Sequence, residues 1–218
     1  MKPVLLRISV VVLFTLAVKT ICVGQNIGLV DVRNSQQIIT VGGPKADIPG
    51  FSSQAIQIAV DALRVRGGGI VKLNPGEYDV IAPIRLFDNI SLIGSGESTV
   101  LKKCDGYKTS FIVDADWGML KAVVKDATGF KIGMGIELFD DEHDQGWDVT
   151  TAVITDIQDN VIYFDNRTVN DYVASKSGTI SNACSVIEAV DARHVKIADL
   201  MIEGNKGTND YINGCRGG

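Results

Sequence analysis

The chain has 218 residues, 45% of them hydrophobic and 22% charged, with 23 glycines, 5 prolines and 6% aromatics. That balance excludes a disordered chain, and four cysteines are too few for a disulfide-built scaffold. A formal charge of −5 and a pI near 5.0 exclude a nucleic-acid binder that works through a basic surface. High glycine with few aromatics favours short strands and tight turns over a helical bundle.

Lys2 and Arg7 precede an apolar run from Ile8 to Val18, and Lys19-Thr20-Ile21-Cys22-Val23-Gly24 follows. A charged start, an apolar centre and small closing residues predict a signal peptide over 1–24, cut after Gly24. The run is shorter than the roughly 20 residues a bilayer span needs, which disfavours a retained anchor. Cys22 lacks the small residues that precede a lipidated cysteine. The expected location is therefore secreted or periplasmic, with no membrane attachment after cleavage. Cys104, Cys184 and Cys215 remain in the mature chain at spacings that match no zinc motif. Buried free thiols are the simpler reading, and one disulfide with a spare thiol is the other.

Ser52 to Arg64 predicts an amphipathic helix. Ser52 or Ser53 supplies the N-cap oxygen, and Ile56, Ala59, Val60 and Leu63 fall at i, i+3, i+4 and i+7. Gly67-Gly68-Gly69 ends it. A phosphate-cradling loop would lie between strand and helix in the opposite order. From Ile70 the pattern becomes short apolar segments divided by turns. These are Ile70–Leu73, Tyr78–Leu86, Ile90–Ile93, Thr99–Leu101 and Phe111–Val113, and later Val186–Val190 and Val195–Ile202. Starts at Ile70, Ile90 and near Phe111 recur about every twenty residues, the spacing of a solenoid with one set of strands per turn. A doubly wound sheet would need a helix after each strand. The expected fold is all-β: a right-handed parallel β-helix plugged by the helix at its first coil.

The segments Ala55–Leu63 and Gly67–Tyr78 closely resemble the opening of pectate-lyase-like right-handed β-helix proteins. Pro83-Ile84-Arg85-Leu86 and Asn89 to Gly96 are similar to the next coil of that family, whose opening the rhamnogalacturonase and epimerase-like lyase groups share. The resemblance covers roughly residues 46–115 and resumes around 185–218. Phe51-Ser52-Ser53 replaces a frequent Asp pair, and Asn74 a frequent Pro. The resemblance implies the β-helix fold and a polysaccharide partner. It does not select among lyases, hydrolases, epimerases and phage tailspikes.

Residues 116–180 break the rhythm. Thr150–Ile157, the turn Gln158-Asp159-Asn160 and Val161–Phe164 predict a hairpin within a small antiparallel β subdomain. The expected organisation is a signal peptide (1–24), cap and first coils (25–115), an inserted subdomain (116–180) and resumed coils (181–218). The insertion carries Asp140, Asp141, Glu142, His143 and Asp144. Several carboxylates could hold calcium, the one cofactor to consider. Gln145 and Thr151 stand where an EF-hand loop starting at Asp140 needs glycine and glutamate, however, and a solvated loop tip is the plainer reading. Trp147 offers a flat face to a sugar ring, or closes the subdomain.

β-Elimination of an acidic polysaccharide needs a neutralised uronate carboxylate, a base and an acid, and hydrolysis needs two placed carboxyl groups. Substrate-contact candidates lie on the last coil: Asn205, Lys206, Asn213 and Arg216, with Glu203 and Asp210 beside them. Lys206 and Arg216 could meet an acidic sugar, although a solvated surface also explains them. His194 falls at a corner and His143 lacks a partner spacing, so no Ser-His-Asp triad is supported and catalytic residues stay unassigned. The pattern stops mid-coil at Gly214–Gly218 without a cap, and a longer protein with its reaction centre beyond residue 218 is expected. Two functions remain open: a secreted carbohydrate-active enzyme of lyase, hydrolase or epimerase type, or a non-catalytic glycan-binding or surface-attachment β-helix.

Overall fold

The structure, a computed structural model, describes residues 37–182 and 184–209. Strand β1 (Ile38–Val41) is followed by helix α1 (Ser53–Val65), then β2 (Gly69–Leu73), β3 (Gly76–Val80), β4 (Ile84–Arg85), β5 (Ile90–Ile93) and β6 (Thr99–Lys103). Six strands follow in a different arrangement: β7 (Lys108–Ser110), β8 (Lys121–Val123), β9 (Gly135–Phe139), β10 (Thr150–Gln158), β11 (Val161–Phe164) and β12 (Thr179–Ser181). The chain then returns through β13 (Ile187–Glu188), β14 (Lys196–Ala198) and β15 (Met201–Glu203). The described part is therefore mostly β, with α1 as its one α-helix.

Three parallel ladders form, in the orders β1-β2-β5-β14, β3-β6-β15 and β4-β13. Each pass of the chain adds one strand to a ladder. In-register pairing places Val71 on Leu92 on Ile197, and Tyr78 on Leu101 on Ile202. Alternation explains why these segments are strands, because Val71, Leu73, Tyr78 and Val80 are buried while Lys72, Glu77 and Asp79 point out. Backbones close in at the corners. A Cβ on Gly69 (φ +154°) would sit 2.5 Å from the Gln37 carbonyl oxygen, so glycine is required there.

Helix α1 begins where Ser52 Oγ accepts from the Ala55 N–H at 3.2 Å. Its Ile56, Ala59, Val60 and Leu63 share a core with Val41, Val71, Leu73, Tyr78 and Ile84. The helix ends as Gly68 N–H returns to Leu63 O at 3.0 Å. Tyr78 is fully buried, with its hydroxyl 2.8 Å from Val41 O and 2.9 Å from Asn74 O.

The other six strands make one antiparallel sheet, ordered β7-β12-β9-β10-β11-β8, with a separate core around Leu138, Ile154, Ile162, Phe164, Tyr172 and Ile180. The hairpin of β10 and β11 forms with the expected turn. Several expectations are corrected. Phe111–Val113 is not a coil strand: Phe111 makes only an isolated antiparallel bridge to Val124, and the antiparallel sheet already begins at Lys108. The strand that continues the ladder after β5 is β14, with Ser91 opposite Lys196. Tyr78–Leu86 is two strands because the chain turns at residues 81–83, where Pro83 lacks an N–H, and β3 and β4 join different ladders. Val195–Ile202 is also two strands, divided at Asp199, whose φ is +56°. The expected signal peptide lies outside the described residues. Among those residues, no helix is long and apolar enough to cross a membrane.

Candidate functional site

A groove of about 410 Å³ lies between the β3-β6-β15 ladder and the inserted sheet. Its ladder side includes Glu77, Asp79, Lys102 and Lys103, and the insertion adds Tyr107, Lys131 and Met134. Parallel register sets Asp79, Lys102 and Glu203 side by side across the three strands. Lys102 Nζ also reaches Glu77 Oε1 at 3.2 Å. Lys103 and Lys131 are different, because neither is held in an ion pair among the described residues. The concavity holds three lysines and the carboxylates of Glu77, Asp79 and Asp105, and Lys103 and Lys131 are the cations left to meet an anionic ligand.

The end of the groove is built where the insertion leaves and rejoins the ladder. Asn182, 2% exposed, donates from Nδ2 to Asp105 O at 2.6 Å and accepts the Tyr107 N–H at 2.7 Å. Tyr107 packs edge-on against Phe130 at 5.0 Å. Asn205, in the left-handed region at φ +50°, donates from Nδ2 to Lys103 O at 3.1 Å and to Asp105 Oδ1 at 2.9 Å. The bonds from Asn205 and Thr208 hold the Asp105 carboxyl below its ordinary range. Burial pushes the Cys104 thiol up and Cys184 to about 11, so both are protonated at neutral pH. Both thiols are free.

Of the residues expected to touch substrate, Asn205 lines this groove and Lys206 follows it, exposed. Asn213 and Arg216, with Asp210, lie outside the described residues. Trp147 is on the insertion, 80% exposed, so it does not close the subdomain. His194 occupies a corner at φ +57°.

The acidic run does not converge. Asp140 is 1% exposed; its Oδ1 accepts from the N–H groups of Glu142 and His143, at 3.0 and 2.8 Å, and its Oδ2 from Val173 N–H at 2.9 Å. Asp141 accepts from Ser177 Oγ at 2.8 Å, Glu142 pairs with Lys176 at 2.6 Å, and Asp144 accepts from Gln145 Nε2 at 2.6 Å. Among the described residues, no group of three or more such side chains is placed to hold a metal ion, and the run does not fit a calcium site.

Glu77, Asp79, Lys102, Lys103 and Lys131 were not among the sequence candidates. Glu77, Asp79 and Lys102 carry a usable signal, since outward positions follow from the alternation in β3 and β6; Lys103 does not, because it falls on the inward parity with Thr99 and Leu101, opposite Val80. Lys131 carries none, because only the folded insertion brings it to the ladder.

No family model matches the chain. Two proteins of Azotobacter vinelandii are similar to it. The mannuronan C5-epimerase AlgE6 is 43% identical over 29% of this chain and 8% of that protein. Alginate lyase 7 is 29% identical over 70% of this chain and 16% of that protein. The chain thus spans a small part of either relative. Among solved structures, the tailspike gp61 of Pseudomonas phage phi297 has a TM-score of 0.33 at 11% identity, covering 68% of this chain and 30% of that one. The Gp54 tailspike of Acinetobacter baumannii bacteriophage AP22, solved in complex with A. baumannii capsular saccharide, has a TM-score of 0.33 at 14% identity. It covers 68% of this chain and 29% of the tailspike.

Proposed function

We propose that the three ladders are the first coils of a right-handed parallel β-helix, capped by α1, in a carbohydrate-active protein that takes an acidic polysaccharide. Alginate is the first polymer to try, because the similar proteins include an alginate lyase aligned over 70% of this chain. The observation that carries the reading is that Lys103 and Lys131, neither in an ion pair among the described residues, line one groove together with Lys102. A polyuronate presents carboxylates in series, and lysine neutralises each as a compact charge. This is the electrostatic part of what either β-elimination or C5 epimerisation requires.

The groove offers binding groups, and its described lining includes carboxylates and Tyr107, side-chain types able to take a proton, with no geometry that assigns one of them as base. The same proposal puts the reaction centre on further coils beyond residue 218. Ile197 and Ile202 support that placement: they continue the inward rows of Leu92 and Leu101, yet are 45% and 52% exposed where another coil would cover them. Export through the segment 1–24 belongs to the same proposal, and a mature N-terminus at Gln25, read by mass spectrometry, tests it.

Binding of alginate by the full chain should fall roughly three- to thirtyfold in the Lys103→Ala/Lys131→Ala variant and weaken with salt. Unchanged affinity at low salt would falsify the groove as the binding site. Turnover is assayed on a version extended at its C-terminus. Ultraviolet absorbance of unsaturated ends marks a lyase, altered uronate configuration by proton NMR an epimerase, and new reducing ends without absorbance a hydrolase. Binding with none of these products supports a glycan-binding module.

A further inference from the structure

We propose that the inserted sheet carries a second glycan-binding surface, separate from the groove, built on Trp117 and Trp147. The inference rests on the carbohydrate reading above. The chain has two tryptophans, and both lie on the insertion, 71% and 80% exposed. That sheet has a core of its own, and it leaves its largest apolar side chains outside that core.

Both tryptophan loops are fastened to the same short segment, Thr168 to Tyr172. On one side Trp117 N–H donates to Asp171 Oδ1 at 2.6 Å, Gly118 N–H to Thr168 O at 2.9 Å, and Met119 N–H to Thr168 Oγ1 at 2.8 Å. On the other side Asp148 O accepts from Asn170 Nδ2 at 2.7 Å and from the Tyr172 hydroxyl at 2.8 Å. Neighbouring residues of one segment thus anchor both loops, and the indoles are presented from pinned backbone. Pinned backbone lowers the ordering cost of binding, and a tryptophan has only two side-chain torsions left to fix.

The surroundings suit a sugar polymer. Arg167 commits Nη1 to Gly118 O at 2.7 Å and keeps further donors, and Asp171 keeps its second oxygen. Such polar groups interleaved with indole faces suit a ligand that alternates apolar C–H faces with hydroxyls. None of these residues lines the groove.

With no other tryptophan in the chain, intrinsic indole emission reports this surface alone. Titrating alginate into the full chain should give a saturable emission change that persists in Lys103→Ala/Lys131→Ala. Affinity electrophoresis should show about tenfold weaker retention for Trp117→Ala/Trp147→Ala, with an unchanged melting temperature. Equal retention of that variant, or emission that ignores bound alginate, overturns the surface and leaves the groove standing. Emission that responds while the lysine variant binds normally overturns the groove and leaves the surface. Emission that shifts with protein concentration, with a doubled mass by light scattering and no response to alginate, makes it a contact between copies and overturns the proposal. A chain that does not bind alginate at all sinks both.

Discussion

Asp140 shows how little a run of like residues says about its members. In the sequence it is the first of an acidic run, equivalent to its neighbours. In the structure it is a buried anchor that takes three backbone N–H groups and approaches His143 Nδ1 at 2.9 Å, while Asp141, Glu142 and Asp144 bond elsewhere. Burial works to raise its carboxyl, and the bonds from Val173, His143 and Glu142 outweigh burial, leaving it below the ordinary 3.8. The native state therefore prefers the ionised form, and the unfolded chain binds the proton more readily. Stability from this group is present above about pH 4 and is lost as pH falls through the lower native value. Asp140→Asn should cost about 1–3 kcal/mol at neutral pH, because an amide turns a donor toward one of these N–H groups. Urea midpoints between pH 2 and 7 check both points: the variant should be less stable at pH 7 and show a flatter acid limb.

Elements were legible where local periodicity and a local stop signal agree. Helix α1 has both: apolar residues at helical spacing, a serine cap and a glycine run, and it forms within a residue of expectation. The hairpin of β10 and β11 follows for the same reason. Where apolar runs are continuous, register is not local information. Phe111 reads like a strand of the twenty-residue rhythm, but its core partners are Val124 and Ile180 of the insertion. The groove was half legible on similar grounds, since β3 and β6 announce their outward charges while Lys131 arrives from a distant loop. The cap gives a direct test at this scale. Ser52→Ala removes the acceptor for Ala55 N–H and should lower stability by about 0.5–2 kcal/mol, whereas Ser52→Asp should retain most of it. Thermal melts of the two variants decide it, and equal losses would show that the contact, rather than the helix start, matters.

At the scale of the molecule the governing fact is an interruption. β5 and β14 pair in register although Ser91 and Lys196 are more than a hundred residues apart, and a whole antiparallel sheet is spliced between β6 and β13. The apolar segments after residue 185 made the resumption visible, but no local pattern encodes which earlier strand each of them pairs with. The splice is narrow. Gly135 N–H donates to Ile81 O at 2.8 Å across the boundary, while the two apolar cores remain separate clusters. Cooperativity in folding follows shared burial, and a few neck bonds couple two cores weakly. Amide exchange should therefore divide the chain into two groups, one with Leu73, Tyr78 and Leu92, the other with Leu138, Ile154 and Ile180. Leu138→Ala should lower protection in the second group by about 2–5 kcal/mol and leave the first nearly unchanged, with Leu92→Ala doing the reverse. If either substitution lowered both groups equally, the neck would be transmitting stability, and ladder and insertion would melt as one body.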